Sequence, residues 1–200
     1  MKNYFTFTML FFALVAAHAQ SVFKDLDFGD NGRFNHQFSL GDGMLHANFR
    51  YIAVPHFDGK VMVFGIVGDQ QPIPAAVRCN ENGTLDGTFA DNGEWSGGLG
   101  LFPEILGVTV QPDHKILLGA WGKNPLTMVR LLPDGAPDPS FGNNGLVQHF
   151  IMPTTYGLDA KDIEVLNDGK LLVSAGITLG EAECVIFRLN ANGTLSSGFG

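Results

Sequence analysis

Asn80, Asn82 and Asp86 are strung around Gly83 as Asn-x-Asn-Gly-x-x-Asp, and side-chain oxygens at such spacing about a glycine bend are what a calcium-wrapping loop uses. The positions in front of them decide the chemistry. Five residues before Gly83, Gly135 and Gly193 stand Arg78, Arg130 and Arg188, so a cation holds the place of the leading carboxylate, and Leu132 holds a second ligand place. These residues predict a turn and no metal: Asn82, Asp134 or Asn192 opens it and glycine permits positive φ. Arg78 lies eight residues before Asp86 and Arg130 eight before Asp138, within reach of a charge-assisted hydrogen bond that would hold the turn, whereas Arg188 faces Ser196. The six histidines include neither H-x-x-x-H nor H-E-x-x-H, and the ten-residue spacing of His36, His46 and His56 fits no metal pattern. No G-x-S-x-G elbow occurs, and Gly97-Gly98-Leu99-Gly100 lacks the strand-to-helix setting of a phosphate cradle. Asn82-Gly-Thr84 and Asn192-Gly-Thr194 match glycosylation sequons, yet both fall in the turn and read as conformational. No catalytic, cofactor-binding or metal-binding residue is assigned.

The elements that carry these turns repeat. Asp58-Gly59-Lys60, Asp113-His114-Lys115 and Asp168-Gly169-Lys170 recur every 55 residues. Each is followed by a second motif, in which Arg78, Gly83, Asp86 and Phe89 correspond to Arg130, Gly135, Asp138 and Phe141, and then to Arg188, Gly193, Ser196 and Phe199. Asp25 to Gly32 matches Asp138 to Gly145, so the tail of another copy precedes the first complete one. The punctuation divides each copy into strands. Leu106 to Gln111 and Ile163 to Leu166 should run into a tight turn and return as Ile116-Leu117-Leu118 or Leu171-Leu172-Val173, apolar at successive positions and therefore covered on both faces. A third strand is expected at 75–80, 126–132 and 184–190, and a fourth at Leu146 to Ile151 and Arg33 to Leu40. The fold class is all-β: a β-propeller of four-stranded antiparallel blades with a repeat of about 55 residues, incomplete in this chain. The divisions are a partial copy at 20–50 and copies at about 51–105, 106–160 and 161–200, the last one truncated.

The pairing of Gln111-Pro112-Asp113-His114-Lys115 with Arg188-Leu-Asn-Ala-Asn-Gly193-Thr-Leu-Ser196-Ser-Gly-Phe199-Gly200 resembles the delta-60 repeat of exported bacterial β-propellers. The resemblance spans essentially all of residues 20–200 and implies a propeller platform with no common reaction. His114 replaces a turn glycine, Ser196 replaces an aspartate, and no glycine follows Phe89. Because the chain stops inside the motif, the segment Phe28 to Leu40 is expected to complete the final blade of a longer, closed ring.

Composition fits this reading: 26 Gly and 17 Phe against 16% charged residues suit many short strands joined by tight turns. A net charge of -8, from 12 basic and 20 acidic residues, argues against nucleic acid or an anionic membrane as partner. Lys2, the apolar run from Tyr4 to Ala17 and Ala17-His18-Ala19 form an export signal at 1–19 cleaved after Ala19, with no membrane insertion afterwards and a secreted or cell-surface destination. Cys79 and Cys184 belong to non-adjacent copies and are expected to stay thiols, Cys79 as a small buried apolar residue. The expected function is a secreted non-catalytic scaffold that binds an extracellular protein or glycan. The alternative is a propeller-type polysaccharide hydrolase or lyase with its active site in the central channel or missing blades, drawing on copy-specific residues such as Glu94, Glu104, His149 and Tyr156.

Overall fold

The computed structural model describes residues 25–36, 38, 52–67, 73–97, 104–121, 125–150, 157–179 and 181–199. The expected export segment 1–19, His46, Tyr156 and residues 98–100 lie outside them, as does the side chain of Glu104. Within the described residues every regular element is a β-strand.

The strands form three sheets. The first contains β1 (Ile52–Pro55), β2 (Val61–Val67), β3 (Ile73–Cys79) and β4 (Glu94–Ser96) in chain order. The second repeats it with β5 (Glu104–Val110), β6 (Ile116–Trp121), β7 (Leu126–Leu131) and β8 (Leu146–His149). The third has β9 (Gly157–Val165), β10 (Leu171–Leu179) and β11 (Glu181–Leu189). All neighbouring strands are antiparallel, and the register is common to the three units: Met62 pairs with Arg78, Leu117 with Arg130, and Leu172 with Arg188. Register follows from the hairpin turns, which need the left-handed region that glycine enters freely. Gly59 and Gly169 supply it at φ 68° and 78°, and His114 occupies it at φ 64° without being glycine.

The sheets stack face to face, and the apolar run of the second strand shows why both faces are apolar. Ile116 and Leu118 enter a core with Met62, Phe64, Phe89 and Trp95 of the first unit. Leu117, between them, enters another with Phe141, Ile163, Leu171 and Leu189, which joins the second unit to the third. The middle sheet is therefore covered twice, and every residue of β7 is buried. On β11, the equivalent strand of the third unit, Ile186 is 56% exposed, and Phe199 beyond it is 43% exposed.

One expectation is corrected. Residues 33–36 and 38 form no strand; the segment carries only an isolated bridge between Gly29 and Arg33. In the first two units the fourth strand is held by the third strand of its own sheet, β4 on β3 and β8 on β7, and residues 33–38 have no such neighbour among the described residues. The segment also lies against the first unit, where Phe34, His36 and Phe38 line a small cavity with Val63 and Val77 and His36 Nε2 lies 2.7 Å from Glu94 Oε1. Among the described residues it makes no pairing with β11.

Candidate functional site

The charged residues that recur in each copy converge at one end of the sheets, because the turn between the first two strands and the turn after the third lie at the same end of an antiparallel sheet. Lys60, from the first turn, and Arg78, from the third strand, meet on one oxygen: Lys60 Nζ donates to Asp86 Oδ2 at 2.8 Å and Arg78 Nε donates to it at 2.7 Å. The other oxygen, Oδ1, accepts from the backbone N–H of Thr88 at 3.1 Å and from its hydroxyl at 2.7 Å. The second unit repeats this geometry. Arg130 Nε donates to Asp138 Oδ2 at 2.7 Å, Lys115 Nζ lies 3.4 Å from the same atom, and the N–H and hydroxyl of Ser140 donate to Oδ1 at 2.9 and 2.7 Å.

Both carboxylates and both arginines are buried. Burial alone pushes the Asp86 carboxyl up, but the donors from Lys60, Thr88 and Arg78 outweigh it and hold it well below the usual carboxylate range. Asp138 is likewise pushed up by burial and brought down, to about 2, by Ser140 and Arg130. A carboxylate held ionised with both oxygens taken is a poor general acid or base and has no free oxygen to wrap a cation. Asn82 and Asn192 are similarly engaged, since each Oδ1 accepts from the backbone N–H and hydroxyl of the threonine two residues on.

The arginines do more than hold their own turns. Arg78 Nη1 donates to the Pro133 carbonyl of the second unit at 2.5 Å, and Arg130 Nη1 donates to the Ala191 carbonyl of the third at 2.6 Å. The neighbouring carbonyls complete each junction by accepting backbone N–H groups from the preceding unit: Asp134 from Ala90 at 2.6 Å and Asn192 from Gly142 at 2.9 Å. The N-terminal tail docks on the first unit the same way, with Gly29 N–H donating to the Asn82 carbonyl at 2.8 Å. In each unit the guanidinium lies over a phenylalanine, 4.7 Å from the Phe89 centroid, 4.5 Å from Phe141 and 4.8 Å from Phe199. Gly135 is tight against this ring, since a Cβ there would stand 2.8 Å from Phe89; at Gly193 one would stand 2.9 Å from Phe141.

The third unit departs where its sequence does. Arg188 Nε donates to Ser196 Oγ at 3.2 Å, and Lys170 Nζ turns instead to Asp168, whose carboxyl its hydrogen bond holds below the usual range. Asp113 and Asp168 shape their turns by accepting the N–H of Lys115 and Lys170, and Asp58 and Gly59 stand in the first turn at φ 55° and 68°.

Spacing anticipates the arginine–carboxylate pairs but not the lysine that shares each carboxylate; its recurrence in step with the aspartate was the available signal. Among the copy-specific residues, Glu94 Oε1 lies 2.7 Å from His36 Nε2, and His149 Nε2 lies 2.7 Å from the Gly193 carbonyl, so each bridges neighbouring segments. Cys79 is buried, with burial pushing its thiol up, and Cys184 is exposed; both are free. Among the described residues no three His, Cys, Asp or Glu side chains are grouped to hold a metal ion.

Three antiparallel sheets stacked by a repeated junction invite comparison with known repeat folds. Residues 111–141, from the second turn to the phenylalanine of the second junction, match the family described as "Domain of unknown function (DUF5122) beta-propeller". The sheets are β-propeller blades. No curated protein and no solved structure matches the chain at a significant level. The matched stretch of the second blade contains Lys115, Arg130 and Asp138, the charged cluster that clasps this blade to the third.

Proposed function

We propose that this chain is an exported, non-catalytic β-propeller module, with repeats of the delta-60 type, that presents its surfaces to an extracellular protein or glycan. One observation carries the reading: the arginine and aspartate that recur in the first two blades, Arg78 with Asp86 and Arg130 with Asp138, are buried and paired with each other, so this repeated chemistry joins blades and faces no substrate. Recurrent groups of this kind give a rigid platform, on which copy-specific loops are free to differ. The signal-like segment at 1–19 supports export, and the net charge of -8 suits a solvated partner other than a polyanion.

The test uses the full chain expressed with its N-terminal segment intact. Recovery outside the cytoplasm with Gln20 as the first residue supports export, and retention of Met1 in a cytoplasmic product overturns it. Screening that protein against polysaccharides should give binding without release of reducing ends or unsaturated products. Turnover that is lost on replacing a blade carboxylate would refute the non-catalytic reading.

A further inference from the structure

The two seams between blades are each built from two halves, and the first and third blades each present one half to the outside. Residues 25–32 sit on the first blade as the end of a preceding blade would. Gly29 N–H donates to the Asn82 carbonyl, Gly32 N–H to the Phe28 carbonyl at 2.7 Å and Asp27 N–H to Asp25 Oδ1 at 3.0 Å, as Gly142, Gly145 and Ser140 do in the second blade. A Cβ at Gly83 would stand 3.1 Å from Phe28, just as one at Gly135 would meet Phe89. The tail lacks only the cations. Asp25 is the counterpart of Asp86 and Asp138, yet among the described residues no lysine or arginine reaches its carboxylate. Nor does an arginine among them donate to the Glu81 carbonyl, the counterpart of those of Pro133 and Ala191. Asp27, Asp58 and Glu81 border the same recess, so the surroundings of Asp25 are acidic.

The third blade has the opposite deficit. Arg188 and Lys170 stand where Arg130 and Lys115 do, but Ser196 replaces the aspartate, and Arg188 Nε is left with a neutral hydroxyl at 3.2 Å. Neither Nη1 nor Nη2 of Arg188 has a hydrogen-bond partner among the described residues. The sheet is also one strand short. β11 is its edge, and Ile186 is 56% exposed there, whereas its counterpart Met128 is fully buried. In the second blade β8 covers that edge, pairing Met128 with Val147 and Val129 with Leu146. Residues 33–36 are the counterparts of β8 and form no strand in their own chain. The same register would set Phe34 opposite Ile186, Arg33 opposite Phe187 and His36 opposite Cys184. Even the outward packing agrees: Val147 enters the core shared with the third blade, and Phe34 lies against the first. Within one chain the two halves cannot meet, because the second blade stands between the first and the third.

We propose that two copies of this chain close head to tail into one six-bladed ring, in which residues 25–36 of each copy complete the third blade of the other. Arg188 and Lys170 of one copy then share Asp25 of the other, and Arg188 Nη1 reaches the Glu81 carbonyl beyond it. An extended segment added to an open sheet edge gains main-chain hydrogen bonds and removes the exposed edge. Head-to-tail contacts of this kind end in a ring when the rotation closes. Two chains of three blades give six, inside the range of about 4 to 8 for closed propellers, and three chains would exceed it. Phe28 and Phe199 are counterparts, so only one can lie under Arg188. Assembly displaces residues 196–199, exchanging a neutral hydroxyl for a carboxylate; Phe199 is already 43% exposed. The ring concerns assembly and stands independently of what the module binds.

The test is sedimentation velocity of the full chain from micromolar to hundreds of micromolar. A species of twice the chain mass should grow with concentration and nothing larger should follow it. Asp25→Arg and Arg188→Asp should each weaken the dimer at least tenfold while keeping the native circular dichroism. Mixed together they should form a one-to-one dimer, since one seam is then wild type and the other has its charges exchanged. Ser196→Asp, which gives Arg188 a carboxylate of its own, should shift the equilibrium towards monomer. Cys184 should react with a thiol reagent more slowly as the dimer forms. A wild-type chain that stays monomeric throughout the range overturns the ring, as does growth into open-ended polymers. So does a dimer that both single variants leave intact, or a mixture of two folded variants that fails to pair. Asp25 is exposed, so its replacement leaves the blades folded. Should Arg188→Asp misfold, an undiminished dimer in Asp25→Arg and in Ser196→Asp overturns the proposal by itself.

Discussion

Replacing Arg130 by methionine keeps much of the stem's apolar volume and removes the guanidinium from Asp138, Ser140, the Ala191 carbonyl and the Phe141 ring at once. Asp138 would remain buried, with Lys115 at 3.4 Å as its nearest countercharge. Breaking a buried pair by removing one partner costs about 3 to 5 kcal/mol. The same change at Arg188 removes a hydrogen bond to a neutral hydroxyl at 3.2 Å and a ring contact. A neutral hydrogen bond contributes roughly 0.5 to 1.5 kcal/mol. Urea unfolding at pH 7, followed by tryptophan fluorescence, should therefore rank Arg130→Met far below Arg188→Met, with Arg78→Met beside the former. For a chain of this size the difference corresponds to roughly 5 to 15 °C in melting temperature. Ser196→Asp should partly restore what the third blade lacks, stabilising it and making Arg188→Met costlier in that background. Equal losses at 130 and 188, or a destabilising Ser196→Asp, would refute the idea that a carboxylate is what makes the clasp strong.

Ala90 stands at φ 45° where the tail and second blade have Gly29 and Gly142 at 56° and 55°. Ala90→Gly should raise stability by about 0.5 to 1 kcal/mol, read from the unfolding midpoint, because relief of left-handed strain exceeds the added chain entropy. Gly135→Ala should cost clearly more than Gly169→Ala, since both pay for positive φ but only the former drives a Cβ to 2.8 Å from Phe89, against 3.7 Å from Ala191 at Gly169. Asp138 has a folded pKa of about 2, below its unfolded value of roughly 3.9, so its contribution is complete above pH 4 and is lost as pH falls toward 2. Acid titration of stability should show that loss, and Asp138→Asn should flatten the slope in this window. A thiol reagent should label Cys184 in the native protein and Cys79 only after denaturation, giving two thiols per chain in all; zero thiols without dimer formation would refute the arrangement of blades.

The 55-residue period, the turns and the two-faced second strand were legible because each rests on local chemistry: glycine or asparagine where φ turns positive, and consecutive apolar residues where both faces are covered. Strand lengths were less so. The runs Ile116 to Leu118 and Leu171 to Val173 mark only the beginnings of β6 and β10, which continue through glycine and serine, because backbone pairing with neighbours carries a strand past the end of its apolar signal. The arginine–carboxylate pairs were readable from eight-residue spacing within one turn. Contacts to the following blade were not, since Arg78 reaches Pro133 across 55 residues and no spacing rule links them. A groove beside Gln111 and Lys115, between the second and third blades, was invisible for a related reason: it arises where two copies differ, Pro112 for Phe57 and Gly169 for His114, and comparison of copies emphasises what they share.

The halves of each clasp lie in consecutive repeats, with arginine, aspartate and phenylalanine in one and the receiving carbonyls and glycine in the next. Such a boundary is indifferent to how many repeats flank it, for every seam needs only its two neighbours. Inserting or deleting a whole 55-residue repeat, wherever the cut falls within it, rejoins a donor half to a receiving half and leaves no orphaned charge. Gene duplication can therefore change the number of stacked blades without prior adaptation of their side chains. What duplication cannot copy is the groove beside Gln111, because two identical repeats would give two identical seams. A seam with a surface of its own therefore requires that its two repeats differ, as Pro112 and Gly169 differ here from Phe57 and His114.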